Sequence, residues 1–294
     1  MKCHLCPRNC GVDRSEDKTG VCGMGDQAVV ARAALHFDEE PCISGSRGSG
    51  AIFFSGCPLK CIFCQNAPIS HDGFGQPVSV SSLRKIMDRL VYDEEAHNIN
   101  LVTGTHFVPQ ILNTLEKPLP VPVVWNCSGY ESMETLSQLE GHISVYMPDF
   151  KFFSPELSRR LAKAPDYPEI AKKAILEMAR QVGEPLFDDE GVMLRGILIR
   201  HLILPGHTDD SIRILDWIHD NLPEGTYISL MAQYIPFGAA LDTSDINRRI
   251  TQEEYDTVVD HLFDLGMENG YVQELDSASE KYVPAFDLTG VSEE

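Results

Sequence analysis

The sequence predicts an α/β protein with a parallel sheet, preceded by a small cysteine-rich N-terminal module. Three observations carry this. From Ala51 onward, six apolar runs of strand length alternate with stretches of helical period, the pattern of successive βαβ units. Eight of the nine cysteines lie in the first 64 residues, a region short of apolar runs and rich in glycine and charge. The chain has 294 residues, 43% of them hydrophobic. A compact chain of that size buries about three quarters of its unfolded surface, as one large domain or two smaller ones.

Residues 1–50 are read as the module. With so few apolar residues it needs a metal to hold it together. Residues 51–294 form the second unit. Its strands are expected at Ala51–Ser55, Ile99–Thr103, Pro122–Asn126, Ile143–Met147, Leu194–Leu204 and Tyr227–Gln233. Ser81 and Ser82 are the expected cap of a helix running to Tyr92, with Leu83, Ile86, Met87 and Leu90 on one face. Further helices are expected at Phe107–Leu115, Pro155–Val182, Ser211–Asn221 and Thr251–Leu265. Such a series suits a doubly wound sheet or an incomplete barrel, and periodicity does not choose between them.

Charge narrows the partners. The chain carries 24 Lys and Arg against 44 Asp and Glu, a formal charge of −20. That argues against non-specific nucleic-acid or anionic-membrane binding, which needs clustered cations. No apolar run approaches the roughly 18 residues of a membrane helix, and Met1–Gly11 has no hydrophobic core of a secretory signal. A soluble, cytoplasmic protein with no membrane partner is expected. In that setting an odd number of cysteines points to metal rather than to disulfides.

The richest stretch is Ile52–Asn66, where a strand runs into a loop bearing Cys57, Cys61 and Cys64 at x3 and x2 spacings. Three thiolates on one short loop can hold three irons of a [4Fe–4S] cluster and leave the fourth iron open. A zinc site with a distant fourth ligand, or three unrelated core cysteines, are the plainer readings. Cys3, Cys6, Cys10 and Cys22 place four soft ligands within twenty residues, suited to zinc or to a second [4Fe–4S] cluster. Free thiols are the plainer reading there, and Cys42 could replace one of the four. Cys127 reads as a packed small hydrophobe.

Cys57-x3-Cys61-x2-Cys64, with Phe63 before the last cysteine, resembles the motif of the radical S-adenosylmethionine (SAM) superfamily. From about Ala51 to Tyr282 the chain resembles the pyruvate formate-lyase activating enzymes, and more closely their PflX-like branch. Cys3–Cys10 and Ala34–Gly45 carry the latter likeness. The resemblance implies a partial (β/α)6 barrel with the cluster loop at its open end. It also implies SAM held on the open iron through its amino and carboxyl groups, and reductive cleavage to a 5′-deoxyadenosyl radical that abstracts hydrogen.

Several further residues follow from the same resemblance. The family's Gly-Gly-Glu turn, which contacts the methionine amino group, reads Thr103-Gly104-Thr105-His106 here, so Thr103 and Thr105 are left to supply oxygens. Asn126 and Ser128 stand where the family carries Asp and Asn. Asp149 and Lys151 match an Asp-Leu-Lys segment and face one side of an extended run. Arg200 is matched to the methionine carboxylate, since a buried arginine needs such a partner. His201 points the other way, toward the helices. Tyr234 stands where the family has a histidine near the adenosyl group. The implied partner is a glycyl radical enzyme, with flavodoxin or ferredoxin as reductant, in an anaerobic setting. A peptide or small-molecule substrate is the alternative within enzymes. Outside enzymes, the alternatives are an iron–sulfur electron carrier and a metal-bound scaffold.

Overall fold

Strands covered on both faces read as continuous apolar runs, and the centre of this sheet is built from four of them. Every residue of β2 (Ser49–Phe54), β4 (Ile99–Val102), β5 (Val123–Cys127) and β6 (Val145–Pro148) is buried. The computed structural model describes residues 2–16, 18–277 and 284–291. Its other strands are β1 (Ala28–His36), β3 (Gln76–Val78), β7 (Leu186–Phe187), β8 (Met193–Leu202), β9 (Tyr227–Met231) and β10 (Gly270–Val272). The helices are α1 (Pro41–Ser44), α2 (Ala67–Ser70), α3 (Val80–Tyr92), α4 (Val108–Thr114), α5 (Met133–Leu139), α6 (Pro155–Ala162), α7 (Tyr167–Val182), α8 (Thr208–Asn221) and α9 (Gln252–Asp264).

The sheet order is β10-β9-β8-β6-β5-β4-β2-β1-β3, parallel from β2 to β10, with β1 and β3 antiparallel at one edge and β7 antiparallel on β8. The parallel strands follow one another in sequence without reversal. A doubly wound sheet needs a point where strand order reverses; this one has none, so right-handed crossovers put the helices on a single side. The two ends, β3 and β10, do not pair, and the result is a partial barrel. The six strands expected from the sequence form its wall, and β10 adds a short seventh.

Alternation along the strands sorts the two faces. Val124, Val145, Met147 and Leu198 point inward and pack on Cys42 and Ile43 of α1, which plugs the bottom of the barrel. Leu101, Val123, Trp125, Tyr146, Ile197 and Ile199 belong to the larger apolar cluster shared with the outer helices. The sheet therefore crosses the expected boundary at residue 50. β1 pairs with β2 from Val30 to His36, and α1 fills the interior. Among the described residues, 2–16 and 18–26 precede the sheet. They are tied to the open end by Arg8 Nε donating to the Pro58 carbonyl at 2.7 Å and Thr135 Oγ1 donating to the Leu5 carbonyl at 2.6 Å.

Helix ends correct three expectations. The cap of α3 is Ser79, whose hydroxyl accepts from the Ser82 amide, rather than Ser81 or Ser82. The long helix expected over Pro155–Val182 is two. Lys163 takes a left-handed backbone (φ 53°), and Pro165 disfavours helix at the residue before it. α5, capped by Ser132, was not expected at all. The tail 284–291 runs back along β1, with the Leu288 amide donating to the Ala31 carbonyl at 3.1 Å and Phe286 edge-on to Phe53. Tyr282, where the family resemblance ends, lies outside the described residues. Among the described residues no helix is long and apolar enough to cross a membrane.

Candidate active site

β2 delivers the chain into the cysteine loop at the open end of the barrel. Gly56 there has φ 82°, and a side chain on it would come within 2.8 Å of the Cys22 carbonyl, so the close approach of the N-terminal segment requires glycine. The loop is fixed from outside: Ile62 N–H donates to the Leu161 carbonyl at 2.9 Å, and Phe63 packs edge-on to Phe152 and Tyr234. Cys57, Cys61 and Cys64 all line one cavity of about 250 Å3. Burial, with the neighbouring sulfurs, pushes the Cys57 thiol up to about 12. Burial likewise pushes Cys61 to about 12 despite the Lys151 ammonium. Thiols so placed ionise only when a cation replaces the proton, and the donor set is one that iron accepts. As placed, no three His, Cys, Asp or Glu side chains among the described residues close to ligating spacing around one point. All three thiols border the same cavity.

The same cavity is lined by charged side chains. Arg200 of β8 donates from Nε to Asp149 Oδ1 at 3.0 Å, from Nη1 to Glu39 Oε2 at 3.1 Å, and from Nη2 to Asn126 Oδ1 at 2.7 Å. Lys151 Nζ donates to Asp149 Oδ2 at 2.5 Å. Burial opposes the charge on Arg200, but Asp149, Glu40 and Glu39 outweigh it and raise its pKa. Burial also opposes ionised Asp149, and Arg200 and Lys151 overcome it, holding the carboxyl below its usual range. Three of the five guanidinium N–H donors of Arg200 thus go to two carboxylates and an amide of the protein itself. Lys151, raised by Asp149 and Cys61 against burial, still has two N–H donors.

The remaining expected residues divide. Thr103 lines the cavity and holds φ 60°, a strained backbone for a β-branched residue. Thr105 is not in the cavity lining; its hydroxyl donates to Glu131 Oε1 at 2.5 Å, which corrects the expectation that both threonines face the cofactor. Ser128 lines the cavity, and its carbonyl accepts from Tyr167. Tyr234 lines it with its ring, its hydroxyl being directed to the Ile246 carbonyl at 2.9 Å. His201 faces outward as expected, between the Phe150 carbonyl and Ser211 Oγ of α8.

At the N-terminus, Cys10 and Cys22 sulfurs both flank Gly20, and Cys3, Cys6, Cys10 and Cys22 lie within electrostatic reach of one another. Burial pushes Cys6 up to about 12. Arg14 binds this segment to the barrel through the His106 carbonyl at 2.5 Å. Two residues of this region were missed from the sequence. Glu39 enters the cavity wall from the β1–α1 connection. Glu131, buried and pushed up to about 8 by that burial, receives Thr105. The run Asp38-Glu39-Glu40 before Pro41 was visible as part of a family-like segment, but nothing local directs it inward; Glu131 carried no signal.

The family model described as "Radical SAM superfamily" matches residues 51–218. The "Uncharacterized protein MJ0674" of Methanocaldococcus jannaschii is 34% identical over 269 residues, covering 88% of this chain and 73% of its own. Among solved structures, Streptococcus suis SuiB bound to precursor peptide SuiA gives a TM-score of 0.49 at 14% identity, and SuiB bound to S-adenosylmethionine gives 0.48 at 13%. Each covers 76% of this chain, while the chain spans about half of theirs, 48% and 49%. The chain belongs to the radical SAM superfamily, whose chemistry uses a [4Fe–4S] cluster and S-adenosylmethionine.

Proposed function

We propose that this protein is a radical SAM enzyme of the kind that activates glycyl radical enzymes, within the PflX-like branch of the pyruvate formate-lyase activating enzymes. The observation that carries the enzymatic reading is one cavity lined by three thiols together with Asp149, Lys151 and Arg200. An electron carrier needs no floor of paired charges beside its cluster. In this reading Cys57, Cys61 and Cys64 hold the cluster, and the two free N–H groups of Lys151 receive the methionine carboxylate. Asn126 and Asp149 keep Arg200 fixed beneath it, Thr103 and Ser128 border it, and Tyr234 with Phe63 forms an apolar wall for the adenosyl group. When bound, the cluster and SAM supply a 5′-deoxyadenosyl radical for hydrogen abstraction. Phe53, Leu202 and Met231 line the cavity and exclude water from that chemistry.

The partner is proposed to be the glycine-bearing loop of a glycyl radical enzyme, entering past Gln65, Ile235 and Pro284; a peptide or small molecule is the alternative. Flavodoxin or ferredoxin is the proposed electron donor. Residues 2–26 are proposed as the metal-held module, with Cys3, Cys6, Cys10 and Cys22 binding zinc or a second cluster. The support for the branch is the pair of segments Cys3–Cys10 and Ala34–Gly45.

The test is anaerobic reconstitution, dithionite reduction with SAM, and assay of 5′-deoxyadenosine with iron and zinc counted per chain. About four irons, one zinc and 5′-deoxyadenosine support a single cluster with a structural zinc; about eight irons move the N-terminal thiols to a second cluster. Cluster without cofactor cleavage defeats the enzymatic reading. Cys57→Ala, Cys61→Ala and Cys64→Ala are each expected to remove cluster absorbance and all cleavage, and full activity in any one of them overturns the ligand assignment. A doublet glycyl-radical signal on a candidate partner after turnover supports the activating role, and its absence with every glycyl radical enzyme tried turns the search to peptides.

A further inference from the structure

The two residues flanking Cys57 are both gripped by the N-terminal segment. Before it, Gly56 leaves so little room that a side chain there would meet Met24 and come within 2.8 Å of the Cys22 carbonyl. After it, the Pro58 carbonyl accepts from Arg8 Nε at 2.7 Å. Arg8 stands midway between Cys6 and Cys10. Its Nη1 donates to the Lys163 carbonyl at 2.6 Å and its Nη2 to the Ala162 carbonyl at 3.3 Å, both at the end of α6. The guanidinium lies 5.4 Å from the centre of the Tyr130 ring. The end of α6 also receives the cysteine loop itself: Ala162 takes the Lys60 amide at 3.3 Å and Leu161 the Ile62 amide at 2.9 Å. All three of these Arg8 acceptors are main-chain oxygens. The fork is therefore placed by its shape and by the negative end of a helix, not by a carboxylate.

Each grip belongs to a different half of the four-thiol segment. Arg8 comes from the stretch between Cys6 and Cys10, and the contact with Gly56 is made by Cys22 itself. The halves meet at their sulfurs: those of Cys10 and Cys22 both flank Gly20, and Cys6 lies within electrostatic reach of Cys22. A metal ion joining Cys6 and Cys10 to Cys22 fixes the two grips relative to one another, with Cys57 between them. Resting on the proposed function, we infer that the N-terminal site is a clasp on the first ligand of the cluster, and that Arg8 is the positioning residue that transmits it. Metal in the N-terminal site strengthens the hold on the cluster at Cys57, Cys61 and Cys64. By reciprocity, a loaded cluster tightens the N-terminal site. Arg8 touches no reacting group and acts through Pro58.

The test uses the full chain, anaerobically reconstituted and reduced, and follows two signals. One is the decay, under chelator, of the paramagnetic signal that added SAM shifts, which belongs to the open-iron cluster. The other is hydrogen exchange of the amides in 56–64. Arg8→Gln and Cys10→Ala are each expected to speed the decay about fivefold or more. Each is also expected to raise exchange in 56–64 while α8 and α9 keep theirs. The double variant is expected to decay no more than about twice as fast as the faster single one, because both changes open the same clasp. Arg8→Lys, which keeps a donor for Pro58 without the fork, is expected to fall between the unaltered protein and Arg8→Gln. Effects that multiply in the double variant mean that Arg8 and the thiols act independently, and overturn the inference. So does unchanged decay in Arg8→Gln, and so does exchange raised equally throughout the chain, the mark of a general stabiliser. Should Arg8→Gln fail to fold, Arg8→Lys takes its place in the same cycle. An unaltered protein whose cluster signal SAM does not shift defeats the cofactor reading alone, and exchange in 56–64 still decides the clasp.

Discussion

Arg200 has three acceptors on three different elements: Glu39 before α1, Asn126 of β5 and Asp149 after β6. Only a planar guanidinium reaches all three at once. Arg200→Met leaves Glu39 and Asp149 buried with the positive charge between them gone, and is expected to cost about 3–5 kcal/mol in denaturant unfolding. A loss below about 1 kcal/mol would mean that those carboxyls are held by other groups. His201 shows burial acting in the opposite sense. Desolvation lowers its pKa to about 4, partly countered by the Phe150 carbonyl, so the folded state keeps the ring neutral. A folded pKa below the unfolded value of about 6.5 gives stability that is present above that value and lost as pH falls toward 4. Between pH 7 and pH 5 this contributes about 2 kcal/mol of destabilisation. His201→Gln is expected to flatten that part of the stability curve, measured by urea unfolding at both pH values, and an unchanged slope would exclude the role.

Among the elements, α7 does more than cover the sheet. Tyr167 at its first turn accepts from the Lys151 amide at 2.9 Å and lies 2.9 Å from both the Ser128 and Asp149 carbonyls. One phenol thereby joins the loops after β5 and β6 that carry the charged wall. It can do so because the chain breaks at Lys163 and restarts the helix beside those loops; one continuous helix over Pro155–Val182 would put Tyr167 in mid-helix. Tyr167→Phe is expected to cost about 1–3 kcal/mol, since it leaves buried backbone groups unpaired. It should also weaken SAM binding with no loss of cluster absorbance, and unchanged affinity would show that the two loops hold their positions without it. The break was only partly legible. Pro165 marked it, but the apolar period ran across it.

For the whole molecule, the segment that reads as a separate module supplies part of the barrel. β1 contributes an edge of the sheet, α1 its plug and Glu39 its charged wall. Deleting residues 1–50 is therefore expected to prevent folding of the remainder, seen as loss of the circular-dichroism signature and aggregation. A folded, soluble 51–294 fragment would show that the plug is dispensable. The tail 284–291 closes on β1 from the other end of the chain, with the Leu288 amide on the Ala31 carbonyl and the Ala33 amide on the Thr289 carbonyl.

Local pattern determined what local pattern can carry. Apolar runs marked the six parallel strands to within a few residues, because burial on both faces leaves an unbroken signature. The Cys57–Cys64 spacing marked the loop, because ligand chemistry dictates spacing along the chain. The alternation of Asp149 and Lys151 put both on one wall. Tertiary structure alone decided the rest. Whether six strands make an open sheet or a barrel depends on the order in which they pair, which no single strand records. That Glu39 joins Arg200, 161 residues away, depends on a turn beneath the barrel that reverses the chain into its interior. Thr105 and Thr103, two residues apart, go to opposite sides because of one left-handed residue. Long-range closure sets these choices, and its energy appears only once the parts are packed.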